Sequence, residues 1–135
     1  MALTNQGLAL HLAGLLEEAR TAQERALQMF VTAYDDGHVH VQLARRRLAA
    51  VLLDLGDPER AAALLETALV NEERALGPSH PDVARTLVHL AVARLRAGDA
   101  RGGSALARRA RAVVASSFGA DNPEARSLVA ELSLP

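Results

Sequence analysis

The chain has 135 residues, half of them apolar and only 2% aromatic, with no cysteine and a formal net charge of −1. This composition excludes a disulfide framework and thiolate chemistry. No apolar run approaches the ~20 residues of a membrane span, so we expect a cytoplasmic protein with no membrane partner. A core of Ala, Leu and Val favours closely packed helices over sheets.

Apolar residues at three- and four-residue spacing predict seven helices along the chain. Asp57 is the expected N-cap of the fourth helix, where its loss should cost about 1 kcal/mol. Pro58, Pro81 and Pro123 suit the first helical position. Because every connection is short, successive helices should lie antiparallel. The predicted helices are residues 2–13, 15–33, 41–55, a fourth that begins at 58, then 81–97, 100–118 and 123–132, with a loop at 34–39.

Two landmarks recur every 42 residues and predict a repeat protein. Gly14, Gly56 and Gly98 each end an apolar run. The turn sequence His80-Pro81-Asp82 returns as Asn122-Pro123-Glu124, and His38 precedes His80 by the same period. We expect His80 to have a structural role, with its side chain bonding to the backbone of the turn.

The chain resembles tetratricopeptide repeats, in the 42-residue variety found in kinesin light chains and bacterial signalling proteins. The resemblance rests on Gly-Pro-Ser-His-Pro-Asp at residues 77–82 and on small residues where paired helices cross. It implies an all-α, right-handed superhelical solenoid of about three helix hairpins plus a C-terminal capping helix. The repeats would be 1–37, 38–79 and 80–121, with the cap at 122–135, in one domain 1–135. The small residues are Gly7, Ala19, Ala26, Ala49, Ala61, Ala68, Ala91, Gly103 and Ala110, where Gly103 replaces the alanine usual in the family.

The resemblance also implies that the first helix of each repeat lines a concave groove for a partner protein or peptide. As a set, the transferred positions form a basic groove with an apolar floor, which favours an acidic partner. A basic clamp for a peptide carboxylate, as some relatives have, is not intact because Thr4 and Leu8 occupy two of its positions. The groove positions are Thr4, Leu8, His11, Arg46, Arg47, Ala50, Leu53, Asp54, Arg85, Val88, His89, Val92 and Arg96.

The two ends of the array differ in polarity. The last helix resembles a polar cap with a narrow apolar stripe, whereas the first carries no charge before Glu17. A terminal repeat that lacks a polar face exposes the surface that a neighbour would cover. Further repeats before Met1, or a homodimer through the N-terminal helix, would cover it. The residues expected at that contact are Leu3, Leu8, Leu10 and Leu12.

Other chemistry is not indicated by the sequence. His38 and His40 lie beside Asp35 and Asp36, but no further ligand cluster completes a metal site. The seven arginines between residues 85 and 111 lack the stacking aromatics of single-strand nucleic-acid binding. No phosphate loop or nucleophile motif is present, and the pairs Glu17-Glu18 and Glu72-Glu73 read as solvated helix faces. We expect no enzyme activity, no cofactor and no metal.

Two functions therefore stay open. The first is a protein–protein interaction module that binds its partner in the concave groove. The second is the C-terminal sensor segment of a larger bacterial signal-transducing ATPase or transcriptional regulator, whose activity would lie elsewhere in the protein.

Overall fold

The structure is a computed structural model that describes the backbone of residues 2–119 and 121–133, with side chains from Asn5 onward in those ranges. Seven α-helices and no strand occupy this part of the chain. They are α1 (Ala2–Leu12), α2 (Leu16–Ala33), α3 (Val39–Asp54), α4 (Pro58–Leu76), α5 (Pro81–Arg96), α6 (Ala100–Ser117) and α7 (Pro123–Leu132).

The turns between repeats use histidine and asparagine as N-caps. His38 Nδ1 accepts the backbone N–H of His40 at 3.1 Å, and His80 Nδ1 accepts that of Asp82 at 3.0 Å. The structural role expected for His80 is thereby confirmed. The same cap starts α3 at Val39 rather than at Val41, so the loop expected at 34–39 is shorter than predicted.

Packing follows the small residues. All nine small residues at the expected helix crossings are buried, so paired helix backbones approach closely there. The main core cluster runs from Leu48 in α3 to Leu132 in α7. The predicted all-α solenoid of antiparallel helix pairs is confirmed. None of the helices in the described ranges is long and apolar enough to cross a membrane.

The first helices of successive repeats lie side by side. Helix α1 contacts α3, α3 contacts α5, and α5 contacts α7. In the described ranges α2, α4 and α6 make no comparable contacts with one another. The surface on which neighbouring helices are closer together is the inner surface of a curved array. The odd-numbered helices therefore line the concave side.

Candidate functional site

A cavity of about 290 Å³ opens on the concave side where α1, α3, α5 and α7 meet. We call it the central cavity. Apolar side chains from α3 and α5 form part of its wall, and five ionisable side chains complete it. Its lining residues are His11, Ala50, Leu53, Asp54, His89, Val92, Arg96 and Glu131.

Seven of the thirteen predicted groove residues line this cavity, and Glu131 is the one lining residue that the sequence reasoning missed. The repeat period could have found it. Glu131 lies 42 residues after His89, which lies 42 residues after Arg47. These three positions are equivalent in successive first helices, so a residue at the third faces the same groove as the other two.

One polar contact joins the first two repeats across the cavity. His11 Nε2 in α1 lies 2.5 Å from Asp54 Oδ2 at the end of α3. The Asp54 side chain is half-exposed and the His11 ring is less so. This contact fixes the end of α1 over α3 and leaves part of the Asp54 carboxylate open to the groove.

His89 and Glu131 form a second contact, which joins α5 to α7. His89 Nε2 lies 3.7 Å from Glu131 Oε2, while His89 Nδ1 is buried without a hydrogen-bond partner in the described structure. Burial, and secondarily the positive charge of Arg46, lower the pKa of His89 to about 4. Burial also raises the pKa of Glu131. His89 is therefore a neutral ring at pH 7, and it adds no positive charge to the groove.

Internal carboxylates neutralise two of the predicted groove arginines. Arg46 is buried, with Nε 3.6 Å from Glu72 and Nη2 3.7 Å from Asp82. Arg85 Nη1 donates to Asp82 at 2.6 Å, and its other nitrogens donate to both carboxylate oxygens of Glu124. The uniformly basic groove expected from the sequence is corrected on this point, because these charges face partners within the fold.

The prediction that Glu72 lies on a solvated helix face is wrong. Its side chain is only 2% exposed, and the Thr86 hydroxyl donates to its carboxylate. Burial raises the pKa of Glu72, an effect that the charge of Arg46 opposes. The sequence could not reveal this burial, because α3 and α5 cover Glu72 from positions well removed along the chain.

Arg47 and Arg96 keep their charge available to a ligand. Neither guanidinium lies within 4 Å of a carboxylate in the described ranges. Arg47 is half-buried and Arg96 is exposed beside the central cavity. These two arginines are the remaining positive charges of the groove.

The other predicted residues have mixed positions. Val88 is fully buried, so its side chain belongs to the core and cannot contact a ligand. Leu8 is half-buried, and the side chains of Thr4 and Leu3 lie outside the described residues. Of the residues expected at a self-association surface, Leu10 is half-buried and Leu12 is 79% exposed.

The first turn between repeats contains a ring cluster that the sequence reasoning also missed. The Tyr34 and His38 rings stack at a centroid distance of 4.0 Å, and Phe30 stacks on His40 at 5.8 Å. No group of three or more His, Cys, Asp or Glu side chains in the described ranges could hold a metal ion. The two histidines therefore pack against aromatic neighbours and cap α3.

Comparisons with known proteins agree with this geometry. Residues 1–69 and 40–115 match the profile of the tetratricopeptide repeat family. The clustered mitochondria protein homologs of Homo sapiens and Danio rerio are each 30% identical, over 111 and 121 residues. These matches cover 82% and 90% of this chain but only 8% and 9% of the two relatives.

A solved structure has the same fold. The kinesin light chain TPR-like repeats of Podosopora anserina superpose with a TM-score of 0.86 at 19% identity, covering 98% of this chain and 62% of that one. The repeat profile matches well over half of the sequence, and the helices follow its 42-residue period. The chain belongs to the tetratricopeptide repeat family.

Proposed function

We propose that this protein is an interaction module that holds a segment of a partner protein in its concave groove. Repeats of this family generally mediate protein–protein interaction and are typically non-catalytic scaffolds. The central cavity carries the proposal, because first helices from successive repeats converge there around an accessible apolar wall. Concave sites with an apolar lining and a few oriented polar groups are the usual form of a binding site.

The charges of the cavity favour a partner segment with a single acidic group. Arg96 provides an available cation, whereas Asp54 and Glu131 would repel a run of acidic residues. The apolar side chains Ala50 and Val92 would contact a small apolar side chain of the same segment. We therefore propose a partner that places one carboxylate near Arg96 and an apolar residue in the cavity.

Fluorescence polarisation with labelled peptide pools tests this proposal. The pools share their apolar residues and differ in carrying one Asp, one Lys or a neutral Asn. We expect the Asp pool to bind best, with a Kd of about 1 μM (about −8 kcal/mol) that weakens with salt. Arg96→Glu should reverse the preference between the Asp and Lys pools.

A second substitution tests the place of binding. Ala50→Arg fills the central cavity and should abolish binding, whereas Ala63→Arg on the exposed face of α4 is the matched control. Equal binding by wild type and Ala50→Arg would exclude the central cavity as the site. Equal binding of all three pools would exclude the proposed acidic preference alone.

The share of the relatives that the chain covers supports a second proposal. It spans less than a tenth of the clustered mitochondria relatives, so in those proteins similar repeats belong to much longer chains. The repeats could serve in the same way as the sensor segment of a larger signalling ATPase or regulator in the bacterial cytoplasm. A coding sequence with a nucleotide-binding domain upstream would support this proposal, and a coding sequence of 135 codons would contradict it.

Self-association through the N-terminal helix also remains a proposal. Its support is the exposure of Leu12 at the end of α1. The lack of enzyme activity and of a cofactor likewise remain predictions.

A further inference from the structure

The last two helices form an open apolar groove. It has a volume of about 620 Å³ and lies between α6 and α7. We call it the C-terminal groove. Its wall includes Val114, Phe118 and Val129, and Arg111 and Arg126 are its charged lining residues. Neither arginine has a carboxylate within 4 Å in the described part of the chain. The last helix is therefore less of a polar cap than its sequence indicates.

The repeat register identifies this groove as a helix-packing surface. Val129 and Ala125 lie 42 residues after Leu87 and Val83. Both of those earlier residues are fully buried, in the core cluster that includes Ala107 of α6. Inside the array, a neighbouring helix thus covers the surface that is open at α7.

The opposite end of the array has an acidic counterpart. A concave surface of about 440 Å³ lies across α1 and α2, and we call it the N-terminal face. Its lining includes Leu10, whose equivalent one repeat later, Leu52, is buried. Glu17 and Glu18 also line it, and Glu18 has no cation within 4 Å in the described ranges. Glu17 pairs with Arg20 at 2.8 Å.

We propose that the C-terminal groove binds the N-terminal face of a second copy of this chain. Apolar surface meets apolar surface in this arrangement, and the glutamates of one copy face Arg111 and Arg126 of the next. The inference rests on the proposed self-association through the N-terminal helix, and it replaces a symmetric contact with a head-to-tail one. It does not depend on peptide binding in the central cavity.

A head-to-tail contact has a distinct consequence for assembly. The two contacting surfaces are different, so each added copy leaves one free groove and one free face. Assembly therefore continues with concentration instead of stopping at a dimer. A contact between two N-terminal helices would stop at two copies.

Sedimentation velocity on two charge-reversed variants tests the proposal. One carries Arg111→Glu and Arg126→Glu, and the other carries Glu17→Arg and Glu18→Arg. Wild type should form species larger than a dimer as concentration rises, and each variant alone should weaken association at least tenfold. An equimolar mixture should form a 1:1 dimer, because each variant keeps one intact surface and the mixed pair is blocked at both ends.

Matched controls are Glu59→Arg, at the position equivalent to Glu17 in the second repeat, and Arg101→Glu at the exposed start of α6. Both should associate like wild type, and circular dichroism should show that all variants are folded. Three results would each overturn the proposal. They are a monomeric wild type at every concentration, full association of the Arg111→Glu/Arg126→Glu variant, and a mixture that remains monomeric.

Discussion

At the scale of single residues, the distinctive feature is a set of buried polar side chains between the helix pairs. Arg46 and Glu72 face each other inside the array, with Asp82 and Thr86 of α5 completing the group. A buried charge is costly unless it is paired, so removal of one partner should destabilise the fold more than removal of both. These residues orient helices and leave few charges for a ligand.

His89 should make the stability of this protein sensitive to acid. Its pKa is about 4 in the folded chain against an ordinary value of 6.5, so below pH 6.5 the unfolded chain binds the proton more readily. The stabilisation is complete above pH 6.5 and is lost as the pH falls toward 4. The loss should reach up to about 3 kcal/mol. Urea unfolding of wild type and His89→Gln at pH 7.5, 6 and 5 measures it.

The comparison of wild type with His89→Gln is needed because other groups titrate near the same range. Burial raises the pKa of both Glu72 and Glu131, which favours the folded chain as these carboxylates take up protons. Glu131 and Arg46 act directly on the His89 ring from α7 and α3. The free energy of unfolding should decline with acid more steeply in wild type. Parallel pH profiles for the two proteins would contradict the assignment.

At the scale of helices, ends and crossings are fixed by specific residues. Asn122 accepts the N–H groups of Glu124 and Ala125 at 2.8 and 3.2 Å, and Asp57 caps α4 as expected. Gly98 ends α5 with a φ of 92°, a conformation that disfavours other residues. The packing between α5 and α6 is the most extensive in the fold and depends on Gly103.

Gly103→Ala should destabilise the protein although alanine is the better helix former. An added Cβ would lie 2.6 Å from Leu95 Cγ and 3.0 Å from its backbone nitrogen. Overpacking of this kind costs about 1–3 kcal/mol, against a gain of about 1 kcal/mol in helix propensity. We expect a net loss on the order of 1 kcal/mol in the free energy of unfolding, measured with urea.

A double-mutant cycle identifies the cause. In a Leu95→Ala background the same substitution should cost at least about 1 kcal/mol less, because the crowding atoms are gone. Ser104→Ala, exposed in the same turn of α6, controls for helix propensity. A gain in stability for Gly103→Ala in wild type would show that α6 moves freely away from α5.

At the scale of the whole molecule, each repeat contacts only its neighbours, so the ends have fewer partners than the middle. Helix α1 packs on α2 and α3, and Leu12 is 79% exposed. Helix α5 packs on α3, α4, α6 and α7 and contributes many residues to the main core. Local stability should therefore rise from α1 toward α5. The exact division into repeats at residues 37, 79 and 121 remains a prediction.

Hydrogen exchange followed by mass spectrometry should detect this gradient. At low micromolar concentration the amides of α1 should exchange at least tenfold faster than those of α5, because fewer contacts must break to expose them. Raising the protein concentration should protect α1 if a second copy covers the N-terminal face. Equal protection of the two helices in dilute protein would contradict the gradient.

The sequence alone determined the repeat period, the helices to within two residues, the capping histidine and the family. These features depend on local spacing, which one helix or turn expresses by itself. Seven residues of the central cavity also followed from the period, because equivalent positions repeat around the superhelix. The tertiary structure decided which charges meet. Arg85 pairs with Glu124, 39 residues away, and Glu72 is buried beside Arg46. Such pairs depend on how neighbouring helices cross, and no local pattern in the sequence encodes that geometry.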